Sequence, residues 1–553
     1  MLERSLFAGL VLFAGLLAGP AAGQDKPPAP PPPPTIDEIR AAFSVIGLSF
    51  TNAKLELLRS GVGDNLQSLQ HLRDAPLENG DPLATVFNPL LPGIAAHIEL
   101  PTGSAREPVK ASRPANLEDL AFADLDTLGA LIHSRKVSCV ELAQMFLTRL
   151  HRLDASLHCV ITFCDERALA QAAALDAELA AGHDRGPLHG IPWGAKDLLA
   201  TKGVRTTWGA EPFETQMLPE DAEVVRRLDA AGAVLCAKLA VGALAWGDVW
   251  FGGVTRNPWR LDEGSSGSSA GSGSAVAAGA LPFAIGTETL GSIMSPSARC
   301  GLSSLRPTFG RVSRRGAMTL CWTMDKLGPM TRSARDTSLV FAAIQGVDPL
   351  DDTTANAGLP YAPPPVVDVK GWRVGYLERD FGEKSPLKGS LDELRALGVE
   401  LVPVKLPEAP LGDMLVILSA EAAEAFDRLT LDGQDDQLAR QVEQAWPNVF
   451  RTSRLIPAVE YLRAQRLRRK LMLDMDKLMS GIDVLVHGTD DDEPLIIANL
   501  TGHPTACAPC GFREDGTPRS LSFTGHLYAE AGLLGFVEAW QATTSWHLKH
   551  PGM

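Results

Sequence analysis

Basic residues are in short supply in this chain. Its 51 lysines and arginines face 66 aspartates and glutamates, a formal charge of −15 over 553 residues. Nucleic-acid binding requires a face of clustered cations to neutralise phosphates, so nucleic acid is excluded as the main partner. The nearest basic cluster, Arg463 to Lys470 (RAQRLRRK), lies inside EYLRAQRLRRKLMLDM and reads as the solvated face of a helix.

The apolar run at the start, Leu6 to Ala18, falls short of the ~20 residues a membrane-spanning helix needs. Preceded by Arg4 and followed by the small residues Ala21 to Gly23, it has the form of a secretory signal peptide over 1–23. The expectation is an exported mature chain, periplasmic or extracellular, with no stable membrane insertion once the leader is cut. The cysteines (139, 159, 164, 236, 300, 321, 507 and 510) offer no metal-site spacing. Cys507 and Cys510 form a single CxxC in apolar, strand-like text and read as buried thiols. The chain has no GxxxxGK[ST] and no proper GxGxxG, so no nucleotide cofactor is signalled.

What is present falls into segments. Residues 24–35 (QDKPPAPPPPPT) form a proline-rich spacer of polyproline character. Residues 36–112 are expected as a helical N-terminal extension, opened by a capping box of Thr35 and Glu38. The main body is placed at 113–553. There, short apolar runs such as HCVITF, HGIPWGAKDLL, AVLCAKL, GIDVLVHG and PTACAPCGF alternate with helical patterns. That alternation predicts an α/β fold: a mixed, largely parallel central sheet covered by helices on both faces.

One stretch stands apart. GSSGSSAGSGS, Gly264 to Ser274, is glycine and serine with one alanine. It could be a linker, a phosphate cradle or a catalytic loop whose small residues let backbone approach a substrate. The flanks, RNPWRL before and AVAAGALPFAIGTETLGSI after, are structured text and disfavour a linker. No lysine follows the glycines, which removes the phosphate cradle.

The run, together with GPLHGIPWGAKDLLATKG upstream and GTETLGSI downstream, resembles the amidase signature family of Ser-Ser-Lys hydrolases. The resemblance extends over Leu117 to Pro551 and includes CGLSSLRPTFGRVSRRG, DKLGPMTRSARD and NLTGHPTACAPCGF. It implies that Lys196 is the catalytic lysine and Ser268 the bridging serine, held with a cis peptide bond. Ser292 would be the nucleophile, 24 positions after Ser268 in the family register. Backbone N–H groups of Thr289, Leu290, Gly291 and Ser292 would form the oxyanion hole. The family needs no metal or organic cofactor, and the partner expected is a small-molecule amide. His189 and His503 invite a Ser-His-Asp triad, but neither has a nucleophile elbow beside it, and both read as structural or pocket-lining. Lys202 and Lys238 read as solvated. Leu290 stands where many relatives carry glycine or aspartate, which implies a narrowed acyl pocket. A signal peptide speaks against the role of the cytoplasmic tRNA-linked amidotransferases. An idle relative acting as a binding protein is the alternative of another class.

Overall fold

The computed structural model describes residues 34–94, 96 and 100–553; the expected signal peptide and residues 24–33 of the spacer lie outside the described residues. The chain divides between Leu77 and Glu78 into two units.

The first unit is a helical pair, Ile36–Val45 and Asn52–Asp74. The expected capping box is formed: Glu38 N donates to Thr35 Oγ1 at 3.2 Å, and Thr35 N donates to Glu38 Oε2 at 2.7 Å. Two of the helix's orphan donors are satisfied this way. Residues 78–112, expected to belong with these helices, hold no helix among the described residues and fall in the second unit. Pro82, Pro89, Pro92, Pro101 and Pro108 punctuate that stretch, and proline removes the N–H and blocks the turn that a helix interior needs.

The second unit is built on an eleven-stranded sheet. Its strands, in chain order, are β1 (Val160–Phe163), β2 (Pro192–Lys196), β3 (Val234–Leu239) and β4 (Phe283–Glu288). Next come β5 (Ser303–Arg306), β6 (Lys326–Thr331), β7 (Arg373–Tyr376) and β8 (Glu400–Pro403). The last three are β9 (Val484–Gly488), β10 (Thr505–Phe512) and β11 (Pro518–Gly525). The spatial order is β8-β7-β9-β11-β10-β5-β6-β4-β2-β3-β1.

The mixed α/β sheet flanked by helices is as expected, but its parallel share is smaller than "largely parallel". Only β7–β8, β7–β9, β2–β4 and β2–β3 pair in parallel. The middle of the sheet, from β9 through β4, is antiparallel throughout. The reason is connection length. β10 and β11 are joined by a tight reversal over Arg513–Thr517, which only antiparallel strands permit; a parallel pair needs a crossover.

Strands β2, β3 and β4 are buried along their whole length, which explains their continuous apolar text. Trp193 and Phe283 stack across the β2–β4 pair, centroids 6.1 Å apart. The helix Cys139–Leu157 buries Leu142, Phe146, Leu150, Leu153 and Leu157, spaced three and four apart. Ser138 and Glu141 cap its start reciprocally.

Candidate active site

Two adjacent parallel strands deliver their last residues to one edge of the sheet: β2 ends at Lys196 and β4 at Glu288. Ligand sites in such sheets form outside the carboxyl ends of the strands. The glycine–serine run reaches this edge from the small strand Arg260–Gly264 and continues into the helix Ala270–Ala277. Ser265, Ser268, Ser269, Ser272 and Ser274 are fully buried, so the run is not a linker. A Cβ on Gly267 would sit 1.8 Å from Gly247 O, so only glycine lets these two backbones meet. The peptide bond from Gly267 to Ser268 is cis.

Lys196 Nζ lies 2.8 Å from Ser268 Oγ, 2.9 Å from Thr287 Oγ1 and 3.2 Å from Thr287 O. An ammonium would donate to all three. A neutral amine would donate to the two Thr287 oxygens and accept from the Ser268 hydroxyl. Both protonation states are therefore satisfied at a fully buried side chain. Burial pushes the Lys196 pKa well below its ordinary value, while the carboxylates of Asp325 and Glu288 pull it back up.

Ser292 follows Gly291, whose φ of +82° turns the chain between β4 and the helix Met294–Cys300. Ser292 O accepts from Ser269 N at 3.2 Å, which ties the turn to the serine run. Ser292 keeps 8% exposure, whereas Ser268 and Lys196 have none. The Ser292 and Ser268 hydroxyls are not hydrogen-bonded to each other in this conformation; such bonds commonly tighten only around substrate.

The turn is held from below. Glu288 Oε2 accepts from Ile293 N at 2.8 Å and Met294 N at 3.0 Å. Its Oε1 accepts from Arg306 Nη1 at 2.8 Å and Asn499 Nδ2 at 2.9 Å. Burial alone would raise the Glu288 pKa, but Arg306 holds it at about 2. With the turn pinned at 293 and 294, the N–H groups of Leu290, Gly291 and Ser292 have no acceptor among the described residues. Leu290 is half-buried on this turn. Thr289 Oγ1 donates to Asp325 Oδ1 at 2.6 Å.

Thr287, Glu288, Arg306, Asp325 and Asn499 were not picked out from the sequence. Thr287 and Glu288 lie inside the quoted GTETLGSI, yet their roles depend on residues brought in from β5, β6 and the helix Asp492–Thr501.

Two sequence expectations are corrected. Lys238 is not solvated: it has no exposure and pairs with Asp197 at 2.8 Å. Its neighbours on β3 are apolar because the strand is internal, and the next residue after Lys196 supplies its counter-charge. Lys202 is exposed, as expected. Arg468, inside the supposed solvated face, is buried, donating to Leu500 O and Thr323 O and lying over the Phe87 ring at 3.5 Å. Arg463, Arg466, Arg469 and Lys470 are exposed.

The histidines stand away from the relay. His189 is fully buried, accepting from Arg185 N and facing Leu175 O. His503 bonds Thr501 Oγ1 at 2.8 Å, and burial lowers its pKa to about 3. The letters Gly267 to Gly271 do fit G-x-S-x-G, centred on Ser269. That hydroxyl is buried and bonded to Thr287 N and O, so it braces the loop. Cys507 and Cys510 are buried on β10, and burial pushes both thiols up to about 12.

A cavity of about 20 Å³ borders Thr287, Thr289, Arg314 and Asp325. An open cleft of about 440 Å³ borders Ser266 and Ser295, with Asp248, Arg299, Asp490 and Arg513 on its walls.

Known proteins share this arrangement of chain. The amidase family model matches residues 141–497. The A component of glutamyl-tRNA(Gln) amidotransferase from Roseiflexus sp. (strain RS-1) is 34% identical over 467 residues, covering 76% of this chain and 96% of that protein. The structure of native peptide amidase from Stenotrophomonas maltophilia superposes with a TM-score of 0.69 at 30% identity, covering 77% of this chain and 97% of that one. An amidase family protein from Bacillus anthracis str. Ames superposes with a TM-score of 0.71 at 25% identity, covering 79% and 93%. The chain belongs to the amidase signature family, whose members act on carbon–nitrogen bonds.

Proposed function

We propose that this chain is an amidase that hydrolyses a small carboxamide through an acyl-enzyme on Ser292, with Ser268 and Lys196 as its proton relay. The observation that carries this reading is the 2.8 Å contact between Lys196 Nζ and Ser268 Oγ, both fully buried.

An amide carbonyl is a poor electrophile and a serine hydroxyl a poor nucleophile, so both need help. Neutral Lys196 accepts the Ser268 proton as Ser268 takes the proton of Ser292, and Ser292 Oγ attacks the carbonyl carbon. The N–H groups of Thr289, Leu290, Gly291 and Ser292 face the oxygen that becomes negative. When the tetrahedral centre collapses, the C–N bond breaks and the proton returns through Ser268 to the leaving nitrogen, which departs as ammonia or an amine. Water then attacks the acyl-enzyme along the same relay, and the acid leaves with Ser292 restored. The neutral amine this step needs is favoured by burial, which lowers the Lys196 pKa well below that of a free lysine.

The test is labelling by a serine-directed phosphonate. The parent should label on Ser292, and Ser292→Ala should not. A folded parent that never labels would favour the idle, ligand-binding relative instead.

The likeness to the glutamyl-tRNA(Gln) amidotransferase component supports a second reading, in which the same site releases ammonia for use by a partner protein. Ammonia release by the purified chain alone, measured over a panel of peptide, aliphatic and aryl amides, separates the two. Turnover without a partner supports the free-standing amidase, and silence across the panel with intact labelling supports the partnered one.

A further inference from the structure

The relay buries a charge each time it turns over. Once the Ser292 proton reaches Lys196, an ammonium sits on a side chain with no solvent exposure, and some group must answer it.

Two carboxylates act on Lys196 against its burial, Asp325 and Glu288, and they are not equivalent. Glu288 is already matched by Arg306 at 2.8 Å. Asp325 has no ion-pair partner among the described residues. Its Oδ2 accepts from Leu320 N at 2.8 Å and Cys321 N at 2.9 Å, and its Oδ1 accepts from Thr289 Oγ1 at 2.6 Å. Burial raises the Asp325 pKa, and the Arg314 guanidinium, the Thr289 hydroxyl and the two N–H groups act against that rise in favour of the ionised form. Asp325 shares the cavity of about 20 Å³ with Thr287, the residue that holds two of the three Lys196 contacts. The same carboxylate grips Thr289, whose N–H belongs to the candidate oxyanion turn.

Resting on the Ser-Ser-Lys reading above, we infer that Asp325 is the positioning residue of the relay. Its charge answers the ammonium form of Lys196, and its bond to Thr289 fixes the oxyanion turn. The other charged groups around the pair are accounted for. Lys326, the next residue on β6, donates to Met324 O and is held to about 7 by burial and by Arg306. Arg314 faces Asp325 and donates to Trp322 O at 2.7 Å. Asp197, next to Lys196 in the chain, is neutralised by Lys238.

The test is the rate of phosphonate labelling of the full chain from about pH 5 to about pH 10, which needs no known substrate. Asp325→Asn removes the charge and keeps the bonds: the amide oxygen still accepts from Leu320 N and Cys321 N, and its NH2 faces a Thr289 hydroxyl able to accept. Without the carboxylate the ammonium is less stable. The limb that reports the base should therefore move to lower pH, by about half a unit or more, and the plateau should fall about tenfold. Asp325→Glu should bring the limb back towards the parental position. Thr289→Val, which keeps the carboxylate, should lower the plateau about fivefold or more with the limb near its parental place.

A limb lost in Lys196→Ala but unmoved in Asp325→Asn, with the parental plateau, overturns this inference alone. A limb that survives Lys196→Ala overturns the relay and this inference with it. Should Asp325→Asn fail to fold, Thr289→Val decides, and a parental plateau in that variant overturns the inference.

Discussion

Lys238 Nζ and Asp197 Oδ1 lie 2.8 Å apart with no exposure on either side chain. Asp197 also accepts from Thr207 N at 2.8 Å, and Lys238 donates to Thr206 Oγ1 at 2.7 Å. The pair closes the end of β2 one residue beyond Lys196 and joins it to β3. Lys238→Ala should strand a buried carboxylate and cost about 3–5 kcal/mol of stability by urea unfolding. Removing both charges with Asp197→Asn and Lys238→Met should cost less than Lys238→Ala alone. A loss of only a few tenths in the single variant would mean that water reaches Asp197.

Ser292→Ala should abolish phosphonate labelling and amide turnover while leaving the unfolding midpoint within a few degrees of the parent. Activity within about tenfold of the parent would move the nucleophile elsewhere, since losing a covalent nucleophile costs far more.

Lys196 controls the acid limb of the pH profile. Its pKa is lowered in the folded chain, so kcat/KM should rise with pH through that value and level off below the ~10.4 of a free lysine. Lys196→Ala should remove the limb and slow acylation by orders of magnitude. Lys196→Arg should not rescue it, because a guanidinium cannot act as a neutral base. The same shift has a stability consequence. Between the folded and unfolded values the unfolded chain binds the extra proton, so Lys196 makes stability rise with pH across that window. Lys196→Met should flatten that part of the stability curve.

Leu290 sits half-buried on the turn whose N–H groups are unpaired. If its side chain narrows the acyl pocket, Leu290→Gly should raise turnover of bulky acyl amides relative to acetamide-sized ones. An unchanged ratio across the size series would place the Leu290 side chain away from the substrate.

We propose that the leader is removed after Gly23, leaving Gln24 at the start of an exported chain. N-terminal sequencing of the protein recovered from its native host checks this, and a cytoplasmic protein still beginning at Met1 would refute it.

Much of the fold was legible because the signals were local. HCVITF, AVLCAKL, GIDVLVHG and PTACAPCGF are strands, and the Thr35–Glu38 box caps a helix, since β-rich runs and capping need only neighbours in sequence. Partner choice between strands was not local. The antiparallel middle of the sheet depends on reversals such as Arg513–Thr517, a turn with Gly516 at φ +81° whose letters alone did not stand out.

For the site, Lys196, Ser268 and Ser292 were named through the resemblance to the amidase signature family, which their glycine-punctuated segments carry. The sequence by itself offered the candidate hydroxyls and amine through that resemblance, and the structured flanks of the run from Gly264 to Ser274 spoke against a linker. Only the tertiary structure decided what surrounds them: that Arg306 neutralises Glu288, that Asp325 forms no ion pair among the described residues, and that Lys238 is buried on Asp197. Those facts are differences of desolvation and Coulomb energy between groups far apart in the chain. Such energies are set by distance and burial, which no spacing of letters records.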